Sequence, residues 1–164
     1  MPKKEKLPST QALRFLRSNE VKFKPYFYKY IDHGGTLESS KQLNVEEHRI
    51  VKTLIFEDNS SKPFVVLMNG DYEVSSKKLA RVLGVKNVKI APSEKAEKYS
   101  GYKVGGTSPF GLKTKMNIFA QKDIFEFDTI LINGGQRGFL VEISTEDLKK
   151  VLNLIVVDVA ITKK

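Results

Sequence analysis

The chain predicts an α+β domain: a curved, largely antiparallel mixed sheet or partial barrel flanked by helices. Three observations predict it. Short apolar runs with strand-like composition intermix irregularly with short helical segments. Several neighbouring runs are joined by connections too short for a crossover helix, which favours antiparallel pairing. No G-x-G-x-x-G motif opens a helix after the first strand, and the βαβ alternation of a doubly wound fold is missing.

In order, residues 1–8 read as a basic flexible tail, and residues 9–164 as one domain. Ser9 is placed to cap a helix running to about Asn19, with Ala12, Leu13 and Leu16 on one face. The aromatic-rich run Tyr26–Ile31 predicts a strand. Gly34-Gly35 turns the chain, and Thr36 is a cap for a short helix to about Leu43. Arg49–Phe56 and Pro63–Met68, split by Glu57-Asp58-Asn59-Ser60-Ser61, predict a hairpin with a long turn. Ser75–Gly84 predicts a helix with a glycine stop, its apolar positions 79, 82 and 83 facing one way. A strand at Val88–Ile90 and a helix from Ser93 to about Lys98 follow. Further strands are expected at Met116–Phe119, Thr129–Ile132 and Phe139–Ile143. Ser144-Thr145-Glu146-Asp147 resembles a capping box that opens a helix to about Asn153. A final strand is expected over Leu154–Ile161.

With 164 residues the chain is long enough to bury roughly two-thirds of its unfolded surface. It has no cysteine, which excludes disulfides, a thiolate nucleophile and zinc–sulfur sites. Its two histidines, His33 and His48, match no metal-binding pattern, so no metal and no cofactor are expected and both read as surface or loop residues. The apolar runs are too short to cross a bilayer. No apolar stretch or cleavage site follows the basic N-terminus, so a cytoplasmic protein without membrane contact is expected. The net charge is +9, and only five of the 28 basic residues are arginine. Lysine-dominated charge suits attraction to a nucleic-acid backbone without base readout; it is also what a lysine-rich host would give any protein. Lys77, Lys78, Arg81, Lys86, Lys89 and Lys103, with Lys113 and Lys115, are the groups that would steer such a partner.

Seven of the eleven glycines lie between residues 101 and 138. They cluster in Gly101-Tyr102-Lys103-Val104-Gly105-Gly106-Thr107-Ser108-Pro109-Phe110-Gly111 and in Asn133-Gly134-Gly135-Gln136-Arg137-Gly138. Such loops let a ligand approach bare amides, although two tight turns need the same residues. Lys52 shares a predicted strand face with Ile50, Leu54 and Phe56, so its amine either enters a cavity or guards an edge. No G-x-S-x-G elbow is present, and Ser108 has no evident histidine base. What remains is a pocket of glycine amides, a lysine and small hydroxyls. It can orient a substrate and stabilise an oxyanion without a strong base, which suits cleavage of an already activated ester.

Val51-Lys52-Thr53-Leu54 and the two glycine motifs together resemble the YbaK/EbsC-type family. These are free-standing aminoacyl-tRNA deacylases related to the editing domain of bacterial prolyl-tRNA synthetases. The similarity runs from about Ser9 to Asp158. It implies a single editing domain that clears mischarged Cys-tRNA(Pro), and also Cys-tRNA(Cys), by substrate-assisted ester cleavage. Lys52 takes the family's catalytic lysine position. Gly105, Gly106, Thr107, Ser108 and Pro109 bound the aminoacyl pocket, with Asn133, Gly134, Gly135 and Gly138 in the second loop. Tyr28 and Tyr30 compete for a substrate-binding tyrosine. Prolyl-tRNA synthetase is an implied partner for tRNA selection. The alternatives are an Ala-tRNA(Pro) deacylase, a non-catalytic module for tRNA acceptor ends or nucleotides, and a phosphate-ligand metabolic enzyme.

Overall fold

The computed structural model describes residues 6–162. Residues 1–5 of the expected tail lie outside this range, and Leu7 packs against the core. The elements in order are α1 (Gln11–Ser18), β1 (Lys24–Phe27), α2 (Gly35–Leu43), β2 (Ile50–Asp58), β3 (Pro63–Asn69), β4 (Tyr72–Val74) and α3 (Ser76–Leu83). There follow β5 (Val88–Ile90), α4 (Ser93–Ser100), β6 (Ile118–Gln121), β7 (Thr129–Gln136), β8 (Phe139–Ser144), α5 (Thr145–Val151), β9 (Leu154–Val157) and β10 (Ala160–Thr162). Short 3₁₀ turns cover Glu47–Arg49 and Lys122–Glu126.

The main sheet has the order β1-β8-β7-β2-β3-β6-β9, with β5 also on β2, while β4 and β10 form a separate ribbon. In the main sheet β2–β7, β3–β6 and β6–β9 are parallel and the other four pairs antiparallel, so the sheet is mixed as predicted, with antiparallel pairing in only a narrow majority. β2 is central: β3 pairs with it from Val51 to Glu57, β5 with its last three residues and β7 with its first two. One apolar cluster packs α1, α4 and α5 against one side of the sheet, including Leu13, Val65, Ile132 and Leu148. A second gathers Phe56, Phe64, Met68 and Leu79 beneath α3.

Several boundaries differ from the sequence reading. Thr10, not Ser9, caps α1: its hydroxyl accepts from the Leu13 amide and donates to the Gly134 carbonyl at 2.7 Å, so a long-range partner selects the cap. β1 ends at Phe27 because its ladder to β8 ends where Phe27 faces Phe139. Gly34 precedes α2, and Thr36 lies inside the helix, donating to Glu47 Oε2 at 2.7 Å and the Gly70 carbonyl at 3.2 Å. On α3, Leu79 and Ala80 are buried whereas Val82 is 51% exposed. The expected final strand breaks at Asp158-Val159. There the buried Gln121 side chain donates to Asp158 Oδ1 (3.0 Å) and accepts from the Val159 amide (2.8 Å), turning the chain towards β4. Thr145–Val151 is helical with Ser144 as cap, as the capping box predicts.

Candidate active site

Lys52 sits on β2 opposite Met68 of β3, one residue past the point where β2 also pairs with β7. Its half-buried side chain enters a cavity of about 660 Å³ instead of guarding an edge. The ammonium donates to the Gly70 carbonyl at 3.4 Å. Ile50, Val51, Ala91 and Leu140 form the buried floor, so the amine stands in a largely apolar enclosure. Burial of this kind strengthens electrostatic contacts made there.

Tyr28 and Tyr30 both line this cavity, so the structure brings in the two competing tyrosines together. Just past the end of β1, the Tyr28 amide donates to the Gly138 carbonyl at 3.0 Å. Burial pushes the Tyr28 hydroxyl above the usual phenol range, opposed by a hydrogen bond from the Gly138 backbone. It therefore stays a proton-bearing donor at neutral pH. The Tyr30 hydroxyl donates to Asp32 Oδ1 at 3.4 Å, and the Arg137 guanidinium lies 4.8 Å over its ring.

The first glycine segment closes the opposite wall. Gly105 and Thr107 line the cavity, as do Val104 and Glu97, whose carboxylate accepts from the Val104 amide at 2.9 Å. Gly105 has φ +91, and a Cβ there would lie 2.8 Å from the Tyr30 hydroxyl, so a side chain would collide with the facing wall. The Gly106 amide is committed to the Lys103 carbonyl at 2.8 Å. The amides of Gly105, Thr107 and Ser108 donate to no acceptor among the described residues. Ser108 and Pro109 are buried and do not line the cavity; Ser108 Oγ accepts from the Phe110 amide at 3.3 Å. Tyr102 fastens the base of the segment by donating to the Phe110 carbonyl, and burial pushes its hydroxyl up to about 12.

The second glycine motif is not a free loop. β7 runs through it to Gln136, and the register shift between Asn133 and Gln136 makes Gly134-Gly135 a bulge. Asn133 organises it: Oδ1 accepts from the Gly135 and Gln136 amides at 2.6 and 3.1 Å, while Nδ2 donates to the Gly105 carbonyl at 3.2 Å. Of this motif Asn133 and Arg137 line the cavity; Gly134, Gly135 and Gly138 shape the wall behind it, as Gly106 does for the first. Gly138 has φ +77, and a Cβ there would meet the Tyr28 carbonyl at 2.6 Å. Arg137 Nε donates to the Val104 carbonyl at 2.8 Å, joining the two motifs.

Sequence reasoning left out Arg137, Asp32, Glu97 and the Gly70 carbonyl, which meet the cavity or the lysine only through tertiary contacts. Arg137 alone carried a signal, its place within the second motif. His33 stands on the rim with its side chain 94% exposed. His48, expected as a surface or loop residue, is half-buried in the turn Glu47–Arg49, and with Asp123 and Glu126 it forms the one cluster of three potential metal ligands found among the described residues. The arrangement around Lys52 can bind an anionic or carbonyl oxygen between an ammonium, phenol hydroxyls and unpaired amides. The Asp32, Glu38 and Glu97 carboxylates also line the cavity, and the chain supplies no cysteine nucleophile.

A family model for the aminoacyl-tRNA editing domain matches residues 34–151. Over 154 residues the chain is 30% identical to EbsC of Enterococcus faecalis, named as a candidate Cys-tRNA(Pro)/Cys-tRNA(Cys) deacylase; 93% of this chain and 94% of that one are covered. Over 96 residues it is 29% identical to the proline–tRNA ligase of Brachyspira hyodysenteriae, covering 58% of this chain but 17% of the ligase. Among solved structures, a hypothetical protein superposes with a TM-score of 0.84 at 23% identity, over 92% of this chain and 99% of that one. A structure described as a candidate trans-editing enzyme for prolyl tRNA synthetase gives 0.79 at 20% identity, over 96% and 100%. These two likenesses concern the fold. No helix among the described residues is long and apolar enough to cross a membrane.

Proposed function

Because the chain belongs to the aminoacyl-tRNA editing domain family, we propose that it is a trans-acting deacylase whose substrate is Cys-tRNA(Pro). The observation that carries this reading is the convergence of Lys52, Gly105, Thr107 and Asn133 on one cavity. Its volume of about 660 Å³ is of the size that takes a small aminoacyl group with its terminal nucleoside. The name of the 30% identical EbsC supports cysteine as the amino acid.

An aminoacyl ester is already reactive, so the protein's contribution is orientation and charge stabilisation. The cysteinyl thiol attacks its own ester carbonyl: a sulfur–carbon bond forms, the carbon–ribose oxygen bond breaks, and the thiol proton ends on the ribose hydroxyl. Lys52 holds the terminal phosphate or carbonyl oxygen in register. The Gly105 and Thr107 amides are the donors for the developing oxyanion. The exposed Lys89 and Lys103, next in sequence to the lining residues Ile90 and Val104, attract the acceptor stem, and selection of tRNA(Pro) falls to prolyl-tRNA synthetase.

The test is ester loss from a panel of mischarged tRNAs incubated with purified protein. Cys-tRNA(Pro) is expected to be cleared fastest, with Ala-tRNA(Pro) slower. Binding of tRNA without turnover on any member of the panel would replace this reading with a non-catalytic acceptor-end module.

A further inference from the structure

A second constellation lies outside the cavity and plays no part in the chemistry above. One ring nitrogen of His48 and one carboxylate oxygen from each of Asp123 and Glu126 lie within 4.8 Å of one another. The local fold explains why. Asp123 and Glu126 are three apart in the 3₁₀ turn Lys122–Glu126, and in that helix residues i and i+3 project on the same side. His48 comes from the other 3₁₀ turn, Glu47–Arg49.

The imidazole is held before any ligand arrives. Its Nδ1 lies 2.7 Å from Asp71 Oδ1, and its ring stands edge-on between Tyr72 (5.0 Å) and Phe127 (5.5 Å). A carboxylate on one ring nitrogen is the arrangement that fixes the tautomer and basicity of a metal-ligating histidine. The charges around it lack compensation. Asp71, Asp123 and Glu126 form no ion pair with any lysine or arginine among the described residues, although the chain carries 28 such residues. Gln121 Nε2 at 2.7 Å and the Tyr72 hydroxyl are neutral donors to Asp123. Three acidic groups thus converge on one oriented imidazole in a strongly basic protein.

We infer that His48, Asp123 and Glu126 form a binding site for a first-row divalent transition ion, with Asp71 orienting the histidine. One imidazole with two carboxylates suits Zn²⁺, Mn²⁺ or Co²⁺, whereas Ca²⁺ and Mg²⁺ prefer all-oxygen shells. Tetrahedral bonds of about 2.0–2.2 Å need ligand atoms roughly 3.3–3.6 Å apart, so side-chain rotations of about an ångström close the site around Zn²⁺. Water completes the shell, since Glu126 is exposed. The ion would tie the two 3₁₀ turns together and, through Asp71, the turn whose Gly70 carbonyl receives Lys52.

The experiment is a ZnCl2 titration of the untagged protein, followed by calorimetry and by long-range ¹H–¹⁵N NMR of the imidazoles. With two histidines in the chain, the ring signals are separately readable. One equivalent of Zn²⁺ is expected to bind, shift the His48 ring nitrogens and leave those of His33 in place. Binding weakens at least tenfold in Asp123→Asn/Glu126→Gln and is unchanged in His33→Gln. The site is overturned by no saturable binding below millimolar Zn²⁺, by movement of the His33 signals alone, or by undiminished affinity in the folded double variant. The NMR result on the wild-type protein stands if that variant does not fold. None of these readouts depends on deacylation.

Discussion

Replacing Lys52 by methionine keeps the length and apolar stem of the side chain and removes only its charge and donors. The wild-type ammonium makes a 3.4 Å hydrogen bond to the Gly70 carbonyl, a weak contact, so its loss costs about 0.5–1.5 kcal/mol of stability. For a chain of this size that lowers Tm by roughly 1–6 °C. The effect on turnover is larger. A charge-assisted hydrogen bond to a phosphate or carbonyl oxygen contributes about 1.5–3 kcal/mol, and the burial of the cavity floor favours the upper part of that range. Losing it lowers kcat/KM by roughly 10- to 150-fold. The assay is single-turnover loss of label from Cys-tRNA(Pro), beside a thermal melt of the same preparation. A folded Lys52→Met protein that deacylates within threefold of wild type would refute the role given to this amine.

Three other outcomes are expected. Gly138→Ala forces a Cβ to within 2.6 Å of the Tyr28 carbonyl at a φ of +77. It should cost about 2–4 kcal/mol and lower Tm by roughly 5–15 °C, together with deacylation, since Tyr28 is displaced; an unchanged melt would contradict this. Burial alone would raise the Glu142 carboxyl, but hydrogen bonds from Thr129 and Arg49 hold it below its ordinary value of 4.5. A folded value below the unfolded one stabilises at pH above about 4.5 and is lost as pH falls through the folded value. Glu142→Gln should therefore flatten part of the acid limb in a melting series from pH 7 to 3, and an acid limb identical to wild type would remove Glu142 from its cause. Binding of deacylated tRNA should weaken with salt at a log–log slope of roughly −3 to −5, for about four to six neutralised phosphates. Lys103→Glu/Lys113→Glu, at exposed positions in and just after the first glycine segment, should reduce that slope measurably in filter binding; an unchanged slope would move the tRNA path elsewhere.

Local signals made much of the fold legible. The capping box at Ser144, the glycine stop at Gly84 and the paired apolar runs of β2 and β3 are short-range features, and each produced the expected element. What escaped depends on partners distant in sequence. Thr10 replaces Ser9 as a cap because Gly134 lies above it, and the Gln121 side chain breaks the last strand from 37 residues away. The site divides in the same way. Lys52 was readable as an ion on an apolar strand, and both glycine motifs were readable as pocket material. Which glycines face the void was not, because the Asn133 side chain and the bulge decide it through contacts to Gly105 and Gln136. His48 belonged to no motif, since its companions stand 23, 75 and 78 residues away along the chain, at Asp71, Asp123 and Glu126.

The amine sits on an interior strand laced to β3 and β7, while part of the cavity lining comes from segments 28–33 and 104–107, which lie outside the strands. Mutational drift can therefore recontour the enclosure residue by residue without displacing the amine. A scaffold divided this way can change which acyl group it admits while retaining one unaltered anchor, and libraries confined to those two stretches are the economical route to new selectivity.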